Sequence, residues 1–180
     1  MSKIVIVKNK INKFNTHIKD IPSDKSLSIR WVLLSSIASG KSKAYNLLLS
    51  EDVLAAVNAV KKLGAKVNLN KRSCTINGCG LYGYEYKKNL TIDAKNSGTL
   101  ARLIMGLLID SNHKIKIIGD KSLSKRDFDR IAEPLKKFGV TIKLKKNSLP
   151  LLMKGNNKLK PIKYTENKGS AQCKSSVIFA

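Results

Sequence analysis

Apolar residues run from Ile29 to Ala38, broken only by Arg30 and two serines, and again from Leu100 to Ile109, broken by Arg102 and Gly106. Each run is entered through small or hydroxylated residues, and each reads as a buried helix. A different pattern follows each one. Leu54 with Val53, Val57 and Val60 puts one apolar face on a helix that opens at Ser50-Glu-Asp-Val53 and closes at Lys61-Lys62 and Gly64. The hydroxyl and two acids suit the positive end of the helix dipole, and the lysines suit its negative end. Asp127 before Phe128, and Lys136-Lys-Phe-Gly139, predict the same start and stop for a fourth helix. Short β-rich pieces are expected at 43–47, 66–69 and 74–76, and again at 114–118, 140–144 and 151–154.

These elements form a repeat. Arg30 and Arg102 lie 72 residues apart, and the helix ends at Leu63-Gly64 and Phe138-Gly139 lie 75 apart. A third unit opens at Gly169-Ser-Ala-Gln-Cys-Lys174, and Ala180 falls where its first helix should still be running. The order per unit is strand, helix, strand, helix, strand, strand. Self-similarity at a fixed period predicts a repeated α/β architecture with helices packed together behind sheets. Gly78-Cys-Gly-Leu-Tyr-Gly83 reads as a loop between units and residues 18–22 as a linker.

Composition adds one anomaly. With 180 residues, 42% of them apolar, the chain can bury an ordinary core, but 35 basic against 12 acidic residues leave a net charge of +23. Arginine stands only at positions 30, 72, 102, 126 and 130; the rest of the surplus is lysine. A field of that sign favours anionic partners, and phosphorylated small molecules meet the requirement as well as nucleic acid does. A nucleic-acid binder should also show an aromatic RNA-binding motif, a helix-turn-helix or basic clusters with aromatic platforms, and none is found. No run reaches the length of a membrane span, and the N-terminal apolar run is short for a signal peptide. Cys74, Cys79 and Cys173 form no CxxC pair, so a reducing compartment is expected rather than a disulfide framework or zinc. His17 and His113 lie in different segments and read as ordinary surface residues.

The candidate chemistry sits at the helix starts, where unpaired N–H groups make anion sites. Ser23-Asp-Lys-Ser-Leu-Ser-Ile-Arg30 adds an ammonium and a guanidinium to those donors; alone, it reads equally as a capped helix with two solvated cations. Asn96-Ser-Gly-Thr99 precedes the second apolar helix. Arg102 within it needs a carboxylate or phosphate partner, or a route to solvent, so a structural salt bridge and a ligand contact both remain open. Gly98 either admits a ligand to the backbone or serves the turn. Ser122-Leu-Ser-Lys-Arg126 is by itself a basic loop, and Ser170-Ala-Gln172 is generic. Related by a repeat, the helix starts should lie at one end of one domain.

Taken together, Ser23-Asp-Lys-Ser-Leu-Ser-Ile-Arg30, Asn96-Ser-Gly-Thr99 with Arg102, Gly119-Asp-Lys-Ser-Leu-Ser-Lys-Arg126 and Ser170-Ala-Gln172-Cys-Lys174 give the chain its resemblance to the 5-enolpyruvylshikimate-3-phosphate (EPSP) synthase family. The motifs occur in family order and spacing along nearly the whole chain. Ile29, Trp31, Lys95 and Asp127 depart from the usual residues but remove no expected ligand group. The resemblance implies an inside-out α/β barrel of two domains, each of three such units, in a protein more than twice this length. Residues 1–18 would then supply the first strand of the other domain. Residues 19–180 would form an incomplete domain: unit one at about 23–92, unit two at about 93–165 and the opening of unit three at 166–180. Such a truncated chain is expected to be inactive alone.

The implied reaction moves the enolpyruvyl group of phosphoenolpyruvate to the 5-hydroxyl of shikimate 3-phosphate, releasing phosphate, by addition and elimination through a tetrahedral ketal phosphate. No metal or organic cofactor is implied, and a cytoplasmic enzyme, monomeric at full length, is expected. By resemblance Lys25 contacts both substrates and is catalytic. Ser26, Arg30, Ser170, Ala171 and Gln172 hold shikimate 3-phosphate. Asn96, Gly98, Thr99, Arg126 and Gln172 line the phosphoenolpyruvate site, which glyphosate also occupies. The carboxylates of proton transfer would lie in the other domain. The sibling family acting on UDP-N-acetylglucosamine is the rival, but its Lys-Asn pair is here Lys25-Ser26.

Overall fold

The computed structural model describes residues 8, 13, 15, 17, 21–71, 73–167 and 169–180. The strand expected over residues 1–18 therefore lies almost wholly outside the described residues. Unit one comprises α1 (Lys25–Ile37), β1 (Lys41–Tyr45), α2 (Glu51–Lys62), β2 (Lys66–Leu69) and β3 (Ser73–Asn77). Unit two comprises β4 (Leu90–Asp93), α3 (Gly98–Leu107), β5 (Ile115–Ile118), α4 (Asp129–Lys137), β6 (Thr141–Lys145) and β7 (Ser148–Lys154), and α5 (Ala171–Phe179) opens the third.

The repeat is visible in the sheets. Unit one orders its strands β1-β3-β2 and unit two orders the equivalent strands β5-β7-β6, antiparallel in both cases. Unit two adds β4, parallel to β5, and the parallel pairing requires the crossover that α3 supplies. β7 shows why the sheets face water on one side. Leu149, Leu151 and Met153 are buried, while Pro150, Leu152 and Lys154 point out. Lys143 and Lys116 pair across the strands with Leu152 and are likewise exposed. Part of the lysine surplus thus lies on an open sheet face.

The helices pack on one another behind the sheets, as the pattern predicts. Ile29, Val32 and Leu33 of α1, and Leu100, Leu103 and Ile104 of α3, are fully buried in one continuous core. α3 and α5 run side by side, with Thr99 against Gln172 and the Ser176 hydroxyl donating to the Arg102 carbonyl oxygen at 2.9 Å. Gly106 permits that approach: a Cβ there would stand 2.1 Å from the Ser176 carbonyl oxygen.

Several local expectations shift. β1 spans 41–45 rather than 43–47, because Asn46 takes a left-handed backbone (φ 55°) and ends the strand. Ser50 is the N-cap of α2, yet its hydroxyl makes no cap bond and is buried without a partner. Asp127 does not cap α4 directly. Phe128 is the N-cap residue, and the Asp127 carboxylate accepts from the Asp129 N–H at 2.8 Å. Residues 123–125, read as loop, form a single 3-10 turn.

Candidate functional site

Three helix starts are built by the same device. Asp24, Ser97 and Ser170 have extended backbones, and each side chain accepts from the N–H three residues on: Leu27 at 2.6 Å, Leu100 at 3.2 Å and Cys173 at 3.2 Å. One donor per helix is thereby satisfied, and the dipole favours negative charge at each of these helix starts.

Side chains tie these starts together. Gln172, at the beginning of α5, donates to the Thr99 hydroxyl at 3.0 Å and accepts from the Arg102 guanidinium at 2.9 Å. Arg30 of α1 donates to the Ser175 hydroxyl at 3.0 Å and to the Ser26 carbonyl oxygen at 3.2 Å. The starts of α1, α3 and α5 therefore lie at one end of the helix cluster.

The loop before α4 adds a second guanidinium. Arg126 donates to the Asn96 side-chain carbonyl oxygen at 3.2 Å, and the Asn96 amide donates to the Asp120 carboxylate at 2.6 Å. Asp120 also accepts from the Leu123 N–H at 2.7 Å, while its own N–H donates to the Lys95 carbonyl oxygen at 2.8 Å. The Leu123 N–H and the Asn96 amide, in that order, hold its carboxyl below the ordinary value. Gly98 sits between the two arginines: a Cβ would lie 2.8 Å from Arg102 Nη1 and 3.0 Å from Arg126 Nη1.

Arg102 has no carboxylate in an ion pair with it among the described residues, which sets aside the structural salt bridge. It donates instead to Gln172 and, at 3.2 Å, to the Asp127 carbonyl oxygen, and its guanidinium lies 4.9 Å from the centre of the Phe128 ring. Burial and then the neighbouring Arg126 charge push it below its usual value. An incoming anion would relieve both costs. Arg102, Arg130, Asp127, Ser170, Gln172 and Cys173 line a cavity of about 240 Å³ beside it.

Of the expected site residues, Asn96, Gly98, Thr99, Arg126 and Gln172 form one cluster, with Ser170 capping the adjoining turn. Arg30 joins it through Ser175. Ala171 is exposed at the first turn of α5. Lys25 pairs elsewhere, with Asp52 in the first turn of α2 at 2.9 Å, and half of its side chain is exposed. Sequence reasoning assigned no site role to Asp52, Asp120 or Ser175. Asp120 stood inside a quoted motif and Asp52 was read only as a first-turn acid of its helix, whereas nothing local distinguished Ser175. No group of three or more His, Cys, Asp or Glu among the described residues is placed to hold a metal ion.

The family model for EPSP synthase (3-phosphoshikimate 1-carboxyvinyltransferase) matches residues 8–180. The chain is 41% identical over 162 residues to the 3-phosphoshikimate 1-carboxyvinyltransferase of Streptococcus mutans, covering 89% of this chain and 38% of that protein. The Streptococcus gordonii protein of the same name is 40% identical over the same shares. Among solved structures, EPSP synthase from Acinetobacter baumannii superposes with a TM-score of 0.82 at 34% identity, over 88% of this chain and 36% of that one. The chain thus spans 38% of the length of the curated relatives it matches. The chain belongs to the EPSP synthase family.

Proposed function

We propose that this chain supplies one half of the site of an enolpyruvyl transferase. Within the full-length protein, that enzyme moves the enolpyruvyl group from phosphoenolpyruvate to the 5-hydroxyl of shikimate 3-phosphate and releases phosphate. One observation carries the reading: three helix starts and the guanidiniums of Arg30, Arg102 and Arg126 gather at one end of a helix cluster, where Arg102 is short of negative charge. Both substrates bring a phosphate and a carboxylate, and preorganised cations and helix N-termini stabilise such groups in substrate and tetrahedral intermediate alike.

In this reading Arg126, held by Asn96, clamps phosphoenolpyruvate beside Gly98 and Thr99. Arg30, Ser26, Ser170, Ala171 and Gln172 receive shikimate 3-phosphate. Lys25 leaves Asp52 to contact both substrates, an exchange eased by the exposure of half of the Lys25 side chain, which leaves that charge screened by solvent. The rest of the longer protein supplies the proton-transfer carboxylates. Residues 19–180 are read as part of a three-unit domain, which the repeated strand order supports, and residues 1–18 as a strand of another. The reading includes a monomer acting on small molecules, without nucleic acid; its cytoplasmic setting fits the free cysteines, two of them buried. Among the described residues, no helix is long and apolar enough to cross a membrane.

Phosphate release by the full-length protein, with shikimate 3-phosphate and phosphoenolpyruvate as sole substrates, tests the reading. Arg30→Ala should mainly weaken shikimate 3-phosphate and Arg126→Ala mainly phosphoenolpyruvate, each by about 1.5–3 kcal/mol, while Lys25→Met lowers kcat/KM for both. Unchanged affinities in all three variants would overturn it.

A further inference from the structure

The opposite end of the helix cluster carries different chemistry. The inter-unit loop crosses from the C-terminus of α1 to that of α3, fixed by a 2.5 Å hydrogen bond between the Tyr84 hydroxyl and Ser36 Oγ. Between this loop and the end of α3 lies a cavity of about 280 Å³. Its lining residues include Tyr82, Tyr84, Tyr86 and His113 together with Glu85 and Asp110. Tyr86 and His113 stand edge to face, 6.0 Å between centroids. The Tyr86 hydroxyl is buried near Ser111 without a well-formed hydrogen bond.

The charge here runs against the molecule. In a chain of 35 basic residues, neither Asp110 nor Glu85 stands in an ion pair among the described residues. Asp110 is half-buried, and its desolvation raises its pKa. The helix C-termini, negative ends of their dipoles, point the same way. A desolvated carboxylate without a counter-ion is costly, and aromatic faces next to carboxylates attract organic cations. Tyr82 is 82% exposed at the rim, an aromatic surface that nothing in the fold uses. A metal ion is a poorer match, because no group of three or more His, Cys, Asp or Glu among the described residues is placed to hold one.

We propose that this cavity binds a compact organic cation, an alkylammonium or alkylguanidinium with a short apolar stem. The head group lies against Asp110 and Glu85 and the stem lies along the tyrosine rings. The site is separate from the anion-gathering end of the helices and does not rest on the reading of that end.

Calorimetric titration of the full-length protein with n-butylammonium chloride tests this, with n-butanol and sodium butyrate as controls at constant ionic strength. The expected result is saturable binding of n-butylammonium in the millimolar range, at least about tenfold weaker for n-butanol, and none for butyrate. Asp110→Asn should weaken the ammonium about tenfold or more, and Glu85→Gln and Tyr82→Ala, both at exposed positions, should each weaken it severalfold. If Asp110→Asn fails to fold, those two variants decide. Absence of saturable binding, including through filling of the cavity by the remainder of the longer protein, overturns the proposal. So does binding of n-butanol as tight as the ammonium, or wild-type affinity in every variant that folds.

Discussion

Arg102 donates a 2.9 Å hydrogen bond to the side-chain oxygen of Gln172, joining two helices that begin 73 residues apart in the chain. The glutamine amide continues to Thr99, so a single side chain fixes both a guanidinium and a helix start. Because the acceptor is neutral, Arg102 keeps its full charge for a ligand.

Replacing that glutamine should separate its structural and binding roles. Gln172→Ala leaves a half-buried guanidinium one acceptor short and should cost about 1–3 kcal/mol in urea unfolding of the full-length protein. Gln172→Glu should restore stability by pairing with Arg102. It should nonetheless raise the KM for shikimate 3-phosphate by tenfold or so, because it cancels the charge the phosphate needs. Stability and KM recovering together in Gln172→Glu would show that the residue serves packing only.

Gly98→Ala should fold. The atoms its Cβ meets are the ends of Arg102 and Arg126, which can swing aside. Arg126 is a wall of the proposed phosphoenolpyruvate pocket, so glyphosate should weaken by more than about 1.4 kcal/mol, roughly tenfold, with a smaller rise in the KM for phosphoenolpyruvate. Measuring both constants checks it; an unchanged ratio would remove Gly98 from the pocket.

Asp120 acts through Asn96 on Arg126. Asp120→Ala should raise the KM for phosphoenolpyruvate by roughly tenfold and leave that for shikimate 3-phosphate within about twofold. Asp120→Asn keeps an acceptor for the Leu123 N–H and should recover part of the loss. Steady-state kinetics with each substrate varied in turn separates these outcomes.

Asp110 gives a pH dependence of defined sign. Its folded pKa is raised, so between the unfolded value near 3.8 and the folded value the native state holds the extra proton, and stability falls as pH rises through that window. At neutral pH the carboxylate therefore costs stability. Asp110→Asn should raise Tm at pH 7 and leave it unchanged at pH 3. A lower Tm at pH 7 would mean that the carboxylate has a stabilising partner.

The sequence by itself determined the repeat, the helix starts and the family. Each rests on local chemistry: a capping side chain three residues before the N–H it accepts from, an apolar run of helical length, a glycine where Leu63 or Phe138 ends a helix. Through the family resemblance it also put forward Asn96, Gly98 and Arg126 as ligand contacts, which the motif residues alone left open. What it could not contain is which neutral group answers a buried charge. Arg102 was open to a carboxylate, a ligand or solvent, and only the packing of α5 and of the loop before α4 against α3 supplied Gln172 and the Asp127 carbonyl oxygen. The Lys25–Asp52 pair likewise needs α2 laid against α1. Gly106 read as one small residue in an apolar helix until the Ser176 backbone arrived where its Cβ would be. Hydrogen bonds and close approaches between segments depend on where two helices cross. That crossing is set by the fit of many side chains at once, and no local pattern in the chain records it.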